Sequence, residues 1–399
     1  MSKITGSKTM KYDYAVIGAC KAGLTAVETL RERAPEASIL LINGEDRLPY
    51  KRTQLTKKLA SGFSPDDFSL KDEGWYSDNS IELWNNTRVL EIDKEKHELI
   101  CSDGRTAVWG KLLIATGAIP FQVDIPGREF VKHLRSAADT EILRAELLSC
   151  RRVAVIGQGV EGVEIAEQCR KMGLEVHLTG RDSRLMQRWL NQRLSGKLLS
   201  LFKSEGVHCS FSRDVSNITK EGDHYRVHSP GEVLEVDIVL ASTGIRGNPA
   251  LAEALGIYGK KGIACDTSLQ TRIQDIYAAG DAVEVPSGWP RGLWHWAEYQ
   301  GRTAGMNMSG ESQKIENIPT RLKCEPFGKF YFSMALPDVN EDDKSTVFFD
   351  DKRGYLKIFE REGRSVAALM EGLSKDDSKI LEKGIHQGMP AESLASSFI

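Results

Sequence analysis

A chain of 399 residues, 41% hydrophobic and 27% charged, has the length and balance for two or three globular domains rather than a disordered polymer. A formal net charge of −3 makes no global case for a nucleic-acid binder, and no stretch approaches the roughly 20 apolar residues needed to span a bilayer. Seven cysteines at irregular spacing, without CxxC or CxxxxC, argue against a disulfide framework, a zinc site and a sequence-local redox dithiol, so no metal site is predicted.

Residues 1–11 are polar with scattered lysines and read as a frayed tail on a cytoplasmic protein, since they lack the apolar run of a signal peptide. A strand is predicted at 12–17, followed by the turn Gly18-Ala19-Cys20-Lys21-Ala22-Gly23 and a helix over 24–33. Pro35 ends that helix, and a second strand follows at 38–42. A basic, aromatic loop occupies 47–59. An exposed stretch rich in Ser and Asp comes next, and a strand at 111–114 runs into Ala115-Thr116-Gly117. The opening pattern then repeats: strand 152–156, turn Gly157-Gln158-Gly159-Val160-Glu161-Gly162, a helix through Lys171, and a strand at 175–178. Strand 237–240 leads to Ser242-Thr243-Gly244, and the short strand 276–278 leads to Ala279-Gly280-Asp281. After Gly310 the pattern changes to a hairpin, 355–360 and 365–370 about Glu362-Gly363, with a helix from about Ser374.

Two strand–turn–helix–strand starts about 140 residues apart imply two dinucleotide-binding units, since one such crossover needs only 30 or so residues. The predicted fold is therefore α/β: two Rossmann-like dinucleotide-binding domains of three layers plus a small C-terminal α+β domain. The first domain is discontinuous (10–120 and 242–310), the second covers 121–241, and the third covers 311–399.

The second turn is the better formed. Gly157 allows a sharp bend, Gly159 lets a pyrophosphate approach the backbone, and Gly162 lets helix and strand pack closely, with the phosphates on unpaired N–H groups at the helix start. About 18 residues on, an NAD site usually presents an acid to the adenosine ribose. Here Gly180 stands there, followed by Arg181 and Arg184. Loss of the acid and gain of guanidiniums predict NADPH over NADH.

In the stretches Leu48-Pro49-Tyr50-Lys51-Arg52-Thr53-Gln54-Leu55-Thr56-Lys57, Ala115-Thr116-Gly117, Leu134-Arg135-Ser136-Ala137-Ala138-Asp139, Thr243-Gly244-Ile245-Arg246 and Tyr277-Ala278-Ala279-Gly280-Asp281, the chain resembles the pyridine nucleotide–disulfide oxidoreductase superfamily. It is most similar there to the branch of NAD(P)H-rubredoxin reductases, reductases of oxygenase ferredoxins, and the flavin part of the nitrite reductase large subunit. The resemblance covers residues 12 to about 310 and is loose beyond. It implies FAD on the first turn, at Gly18, Cys20 and Gly23. Asn43 or Glu45 would serve the ribose, Gly280 and Asp281 the ribityl chain and pyrophosphate, and Ala115, Thr116, Gly117 and Gly244 the crossing between domains. Arg52 and Lys57 would reach the ring or the phosphates, and Arg135 would contact the cofactor from the linker. Glu164 fits the helical acid that faces the nicotinamide, and Trp294, with Trp296, would wall the stacked rings. An ammonium at Lys57 has a rationale of its own, since positive charge favours an anionic reduced flavin.

The chain departs from that pattern at Cys20, where a glycine is usual, at Lys21, at Asn43, where an acid is usual, and at Glu161, where an apolar residue is usual. Lys21 is expected either to add positive charge to the cradle or to point to solvent. With no cysteine pair in the 50–58 loop, disulfide reduction is disfavoured. Single-electron transfer to a rubredoxin- or ferredoxin-like protein is the favoured function, with a homodimer through the last domain by analogy. Two alternatives stay open: an NAD(P)H oxidase or small-acceptor flavin reductase, and a nucleotide-binding protein whose altered first turn has weakened FAD.

Overall fold

The computed structural model describes residues 9–284, 292–340 and 342–398. Its centre is the strand Met10–Ile17, flanked in parallel by Ile39–Ile42 on one side and Thr106–Ile114 on the other. Ile81–Trp84 extends the sheet beyond Ile39–Ile42, and Ile276–Ala278 lies parallel to Thr106–Ile114. Ile39–Ile42 is apolar and buried at every position, as a strand covered on both faces must be. One cover is the helix Lys21–Arg33, which buries Leu24, Val27 and Leu30. It lies against the helix Trp294–Met308 so closely that a Cβ on Gly301 would stand 2.2 Å from the Ala22 carbonyl oxygen.

The second sheet repeats the plan in the parallel order Val207–Phe211, Glu175–Gly180, Arg152–Ile156, Ile238–Ala241, Val131–Lys132. Both sheets therefore have a strand whose neighbours lead off in opposite directions, and the crevice beyond its carboxyl end is the place where open α/β sheets hold ligands. The chain crosses between the sheets twice, at Ala118–Pro120 and Ile245–Gly247, and the two crossings pair antiparallel.

The last unit is an antiparallel sheet in the order Arg321–Cys324, Tyr331–Met334, Arg364–Glu371, Gly354–Arg361, Lys344–Asp351. The helix Lys375–His386 opens on a capping box of Ser374 and Asp377. Apolar side chains of this sheet, Leu322, Tyr331 and Phe332 among them, share one core with Val153, Leu178 and Leu240 of the second sheet. Polar links add to the join: Asn191 Nδ2 donates to the Tyr355 hydroxyl at 2.8 Å, Lys197 pairs with Glu371 at 2.9 Å, and Glu167 accepts from the Phe327 N–H at 2.8 Å.

The α/β class with two repeated units and a smaller α+β unit is as the sequence predicts. Three details differ. The first strand starts at Met10, inside the expected tail, because Tyr12 turns inward while Lys11 and Asp13 face out. The Ser- and Asp-rich stretch holds the helix Glu73–Asp78, capped by Asp72, and leads into the sheet-edge strand Ile81–Trp84. Between residues 217 and 236 lies a three-stranded antiparallel sheet whose apolar alternation charged residues interrupt, so the sequence pattern does not announce it.

Candidate functional site

The two glycine turns are built alike. Gly18 has φ +104°, and a Cβ there would stand 2.3 Å from the Ala115 carbonyl oxygen. Gly157 has φ +118°, and its Cβ would stand 2.1 Å from that of Ser242. In each case the turn is pressed against the end of the neighbouring strand, so only glycine fits. The last glycine of each turn is equally confined: a Cβ on Gly23 would fall 1.8 Å from the Gly18 oxygen, and one on Gly162 would fall 1.9 Å from the Gly157 oxygen.

The middle residues differ from these. A Cβ on Gly159 would meet nothing within 4 Å, so its face of the turn is open. Cys20 holds the matching place, with φ −81° and ψ −162° against −74° and −170° for Gly159. That is extended backbone, which explains why a cysteine is accommodated where the motif expects glycine. Neither helix that follows has a side-chain cap, whereas Ala137–Leu147, Gln192–Ser204 and Lys375–His386 are capped by Ser136, Asn191 and Ser374. The first N–H groups of both turn helices are thus left for an anion.

Around the first turn the predicted residues gather. Gly280, φ +77°, packs against Ala22, and its N–H donates to Gln300 Oε1 at 2.7 Å. Beside it, Asp281 lies 3.5 Å from Arg135, whose Nε donates to the Ala118 carbonyl at 2.9 Å. The same guanidinium lies 3.5 Å from where a Cβ on Gly117 would be, and Thr116 precedes that glycine. Asn43 is buried and committed to its loop: Nδ2 donates to the Arg47 carbonyl at 2.7 Å and to Asn85 Oδ1 at 2.9 Å. Glu45 pairs with Arg52 and accepts from the Tyr50 hydroxyl at 2.8 Å, and Arg52 also donates to the Arg135 carbonyl at 2.8 Å. Lys21 does neither of the things expected of it. It pairs with Glu298 at 2.9 Å, beside the Trp294 ring.

Where the sheets meet, Lys57 lies 3.6 Å from Glu164, which also accepts from the Thr56 hydroxyl. Burial raises the Glu164 pKa, against the opposing pull of Lys57 and Thr56. One turn earlier Glu161 accepts from the Ser242 hydroxyl at 2.9 Å. Burial raises its pKa too, opposed by that bond and by Arg135 and reinforced by Glu164. Cys324, which the sequence placed nowhere near the site, lies close enough to feel Glu164 and Lys57, but complete burial pushes its thiol far up and leaves it unreactive. Trp296 is 2% exposed and packs in the core of the first sheet. Trp289 lies outside the described residues.

A carboxyl raised by folding favours the folded state below its ordinary value near 4.5, and that contribution is lost as pH rises through the shifted value. Glu161→Gln, which keeps an acceptor for Ser242, is therefore expected to raise Tm above neutral pH. The gain should fade toward pH 4.5. Thermal unfolding at several pH values checks this, and a gain independent of pH would contradict it.

At the second turn Gly180 closes its strand, Arg181 is exposed, and Arg184 bends back so that one nitrogen lies 3.4 Å from the Gln187 carbonyl and 3.5 Å from that of Leu190. Gly244, φ +114°, has open space where a side chain would project. Among the described residues no group of His, Cys, Asp or Glu could hold a metal ion, and no helix is long and apolar enough to cross a membrane.

Residues 12–301 match the family described as pyridine nucleotide-disulphide oxidoreductase. The chain is 31% identical, over 76% of each sequence, to the ferredoxin–NAD(+) reductase subunit of the benzene 1,2-dioxygenase system of Pseudomonas putida. It is 28% identical over 379 residues to the nitrite reductase [NAD(P)H] of Bacillus subtilis, of which it spans 47% of the length. Among solved structures, the ferredoxin reductase for the CYP199A2 system from Rhodopseudomonas palustris superposes with a TM-score of 0.83 at 25% identity, covering 97% of this chain and 100% of that one. The chain belongs to the pyridine nucleotide-disulphide oxidoreductase family, close to its ferredoxin and rubredoxin reductase branch.

Proposed function

We propose that this protein takes a hydride from NADPH onto FAD and passes the electrons singly to a small ferredoxin- or rubredoxin-like protein. The observation that carries the reading is the pair of matching, uncapped turns, with Lys57 and Glu164 at the junction of their sheets. FAD, when bound, accepts two electrons as hydride and gives them up one at a time.

The first turn fits that cofactor. Its helix offers unpaired N–H groups to the pyrophosphate, Gly18 and Gly23 keep the turn tight, and Cys20 keeps the backbone of Gly159, so that the pyrophosphate would lie beside the Cys20 side chain, on the face that Gly159 leaves open. We assign FAD to residues 10–120 and 242–310, with Gly280, Asp281, Arg135 and the 115–117 crossing along it. The pyridine nucleotide falls to 121–241, and a partner- or dimer-facing role to 311–399. Glu45 and Arg52 act as a neutralised pair that shapes the loop. Lys57 supplies positive charge toward the reduced ring, and Glu164 holds Lys57 in place. Each turnover consumes one NADPH, reduces two one-electron carriers and releases one proton.

The preference for NADPH rests on the missing acid at Gly180 and on Arg181, which is free to meet a 2′-phosphate, while Arg184 braces the loop. Seven free cysteines suit a reducing cytoplasm. Steady-state turnover tests the reading. With FAD bound, kcat/KM for NADPH should exceed that for NADH by about tenfold or more, as one charge-assisted contact allows, and a ferredoxin or rubredoxin should be reduced far faster than oxygen. Equal rates with oxygen alone would instead mark an oxidase.

A further inference from the structure

Gln158, the residue between the first two glycines of the second turn, is only 3% exposed. Its side chain runs to the end of the neighbouring strand, where Nε2 donates to the carbonyls of Asp182 at 2.7 Å and Arg184 at 3.1 Å. Its own carbonyl accepts from the Met186 N–H at 2.9 Å. Two carbonyls can be met only by the amide nitrogen, so the orientation of the amide is fixed and Oε1 faces Gly180. That oxygen is buried without a hydrogen-bond partner, and it lies 2.1 Å from where a Cβ on Gly180 would stand.

We propose that Gln158 is the positioning residue that sets nucleotide specificity: its amide fills the place of the strand-end side chain, which excludes an acid at 180, and it anchors the loop that carries Arg181. The proposal rests on the second turn being the NAD(P)H site. Gly180 is then glycine because the turn residue opposite is glutamine, and the two positions are coupled. Moving the amide aside for a new Cβ would break both bonds to the loop, so an acid at 180 cannot do its usual work on the ribose while Gln158 stays.

The test is a set of four proteins, wild type, Gly180→Asp, Gln158→Gly and the double variant, each with its Kd for NADP⁺ and NAD⁺ measured by calorimetry and its Tm recorded. Gly180→Asp alone should weaken both nucleotides, by about tenfold as loss of two modest hydrogen bonds would, with little change in their ratio. Gln158→Gly alone should lower the preference for NADP⁺ by releasing the loop. The double variant should regain Tm relative to Gly180→Asp and shift the ratio toward NAD⁺ by on the order of 100-fold, since an acid both binds the ribose and repels a 2′-phosphate. If Gly180→Asp shifts the ratio equally with and without Gln158, the proposal is overturned. Should Gly180→Asp fail to fold, failure of the double variant to regain stability would overturn it as well. A wild type that binds neither nucleotide sinks the reading of the site itself, which is a different result from binding without coupling.

Discussion

Gly23→Ala is expected to disable the first cradle and to lower stability by about 3 kcal/mol, the upper range for overpacking. The added methyl would stand 1.8 Å from the Gly18 oxygen and 3.2 Å from a Val16 methyl, and the first of these is backbone that cannot swing away. The helix Lys21–Arg33 would have to lift from its strand, carrying its unpaired N–H groups off the position in which they meet a phosphate. Thermal unfolding should show a Tm lower by roughly 6–12 °C, with FAD lost on gel filtration. Gly159→Ala provides the contrast. Its methyl meets nothing, so Tm should stay put while the affinity for pyridine nucleotide falls. A Gly23→Ala protein that keeps both Tm and flavin would mean that the turn has another shape.

Lys57→Met should slow reduction by NADPH by about 10²–10³-fold, the usual effect of removing one preorganised charge or donor from a transition state. The side chain is 41% exposed, so the fold should survive its loss. Glu164 would keep only its Thr56 bond, and its carboxyl, already raised by burial, should rise further without the ammonium. Stopped-flow absorbance under anaerobic conditions measures the step directly. Unchanged reduction with slower delivery to the carrier would move Lys57 from the hydride step to the partner surface.

Much of this is written locally in the chain. Both turns, their helices and the strands that feed them are legible because the pattern of apolar run, glycine and helix depends on neighbours in sequence. The strand Ile81–Trp84 is not, because only four residues carry it and the parallel partner that defines it lies some 40 residues earlier. The links that decide individual roles are longer still. Nothing near Lys21 announces that Glu298 will take its charge, and nothing near Gly180 announces that the Gln158 amide fills its space. The pairing of Glu45 with Arg52 is legible in the sequence, since an acid and a guanidinium seven residues apart bracket one loop. The place of Cys324 is not, because it reaches the Lys57–Glu164 pair from a unit whose sequence resembles its relatives only loosely.

The most direct test of the central claim is a titration of the purified, flavin-stripped protein with FAD, followed by absorbance near 450 nm. Stoichiometric uptake of one FAD per chain, with the band bleaching when NADPH is added without oxygen, is the predicted result. A protein that carries no flavin after gel filtration from excess FAD, while still binding NADPH, would contradict the account, leaving one working cradle and no path for electrons.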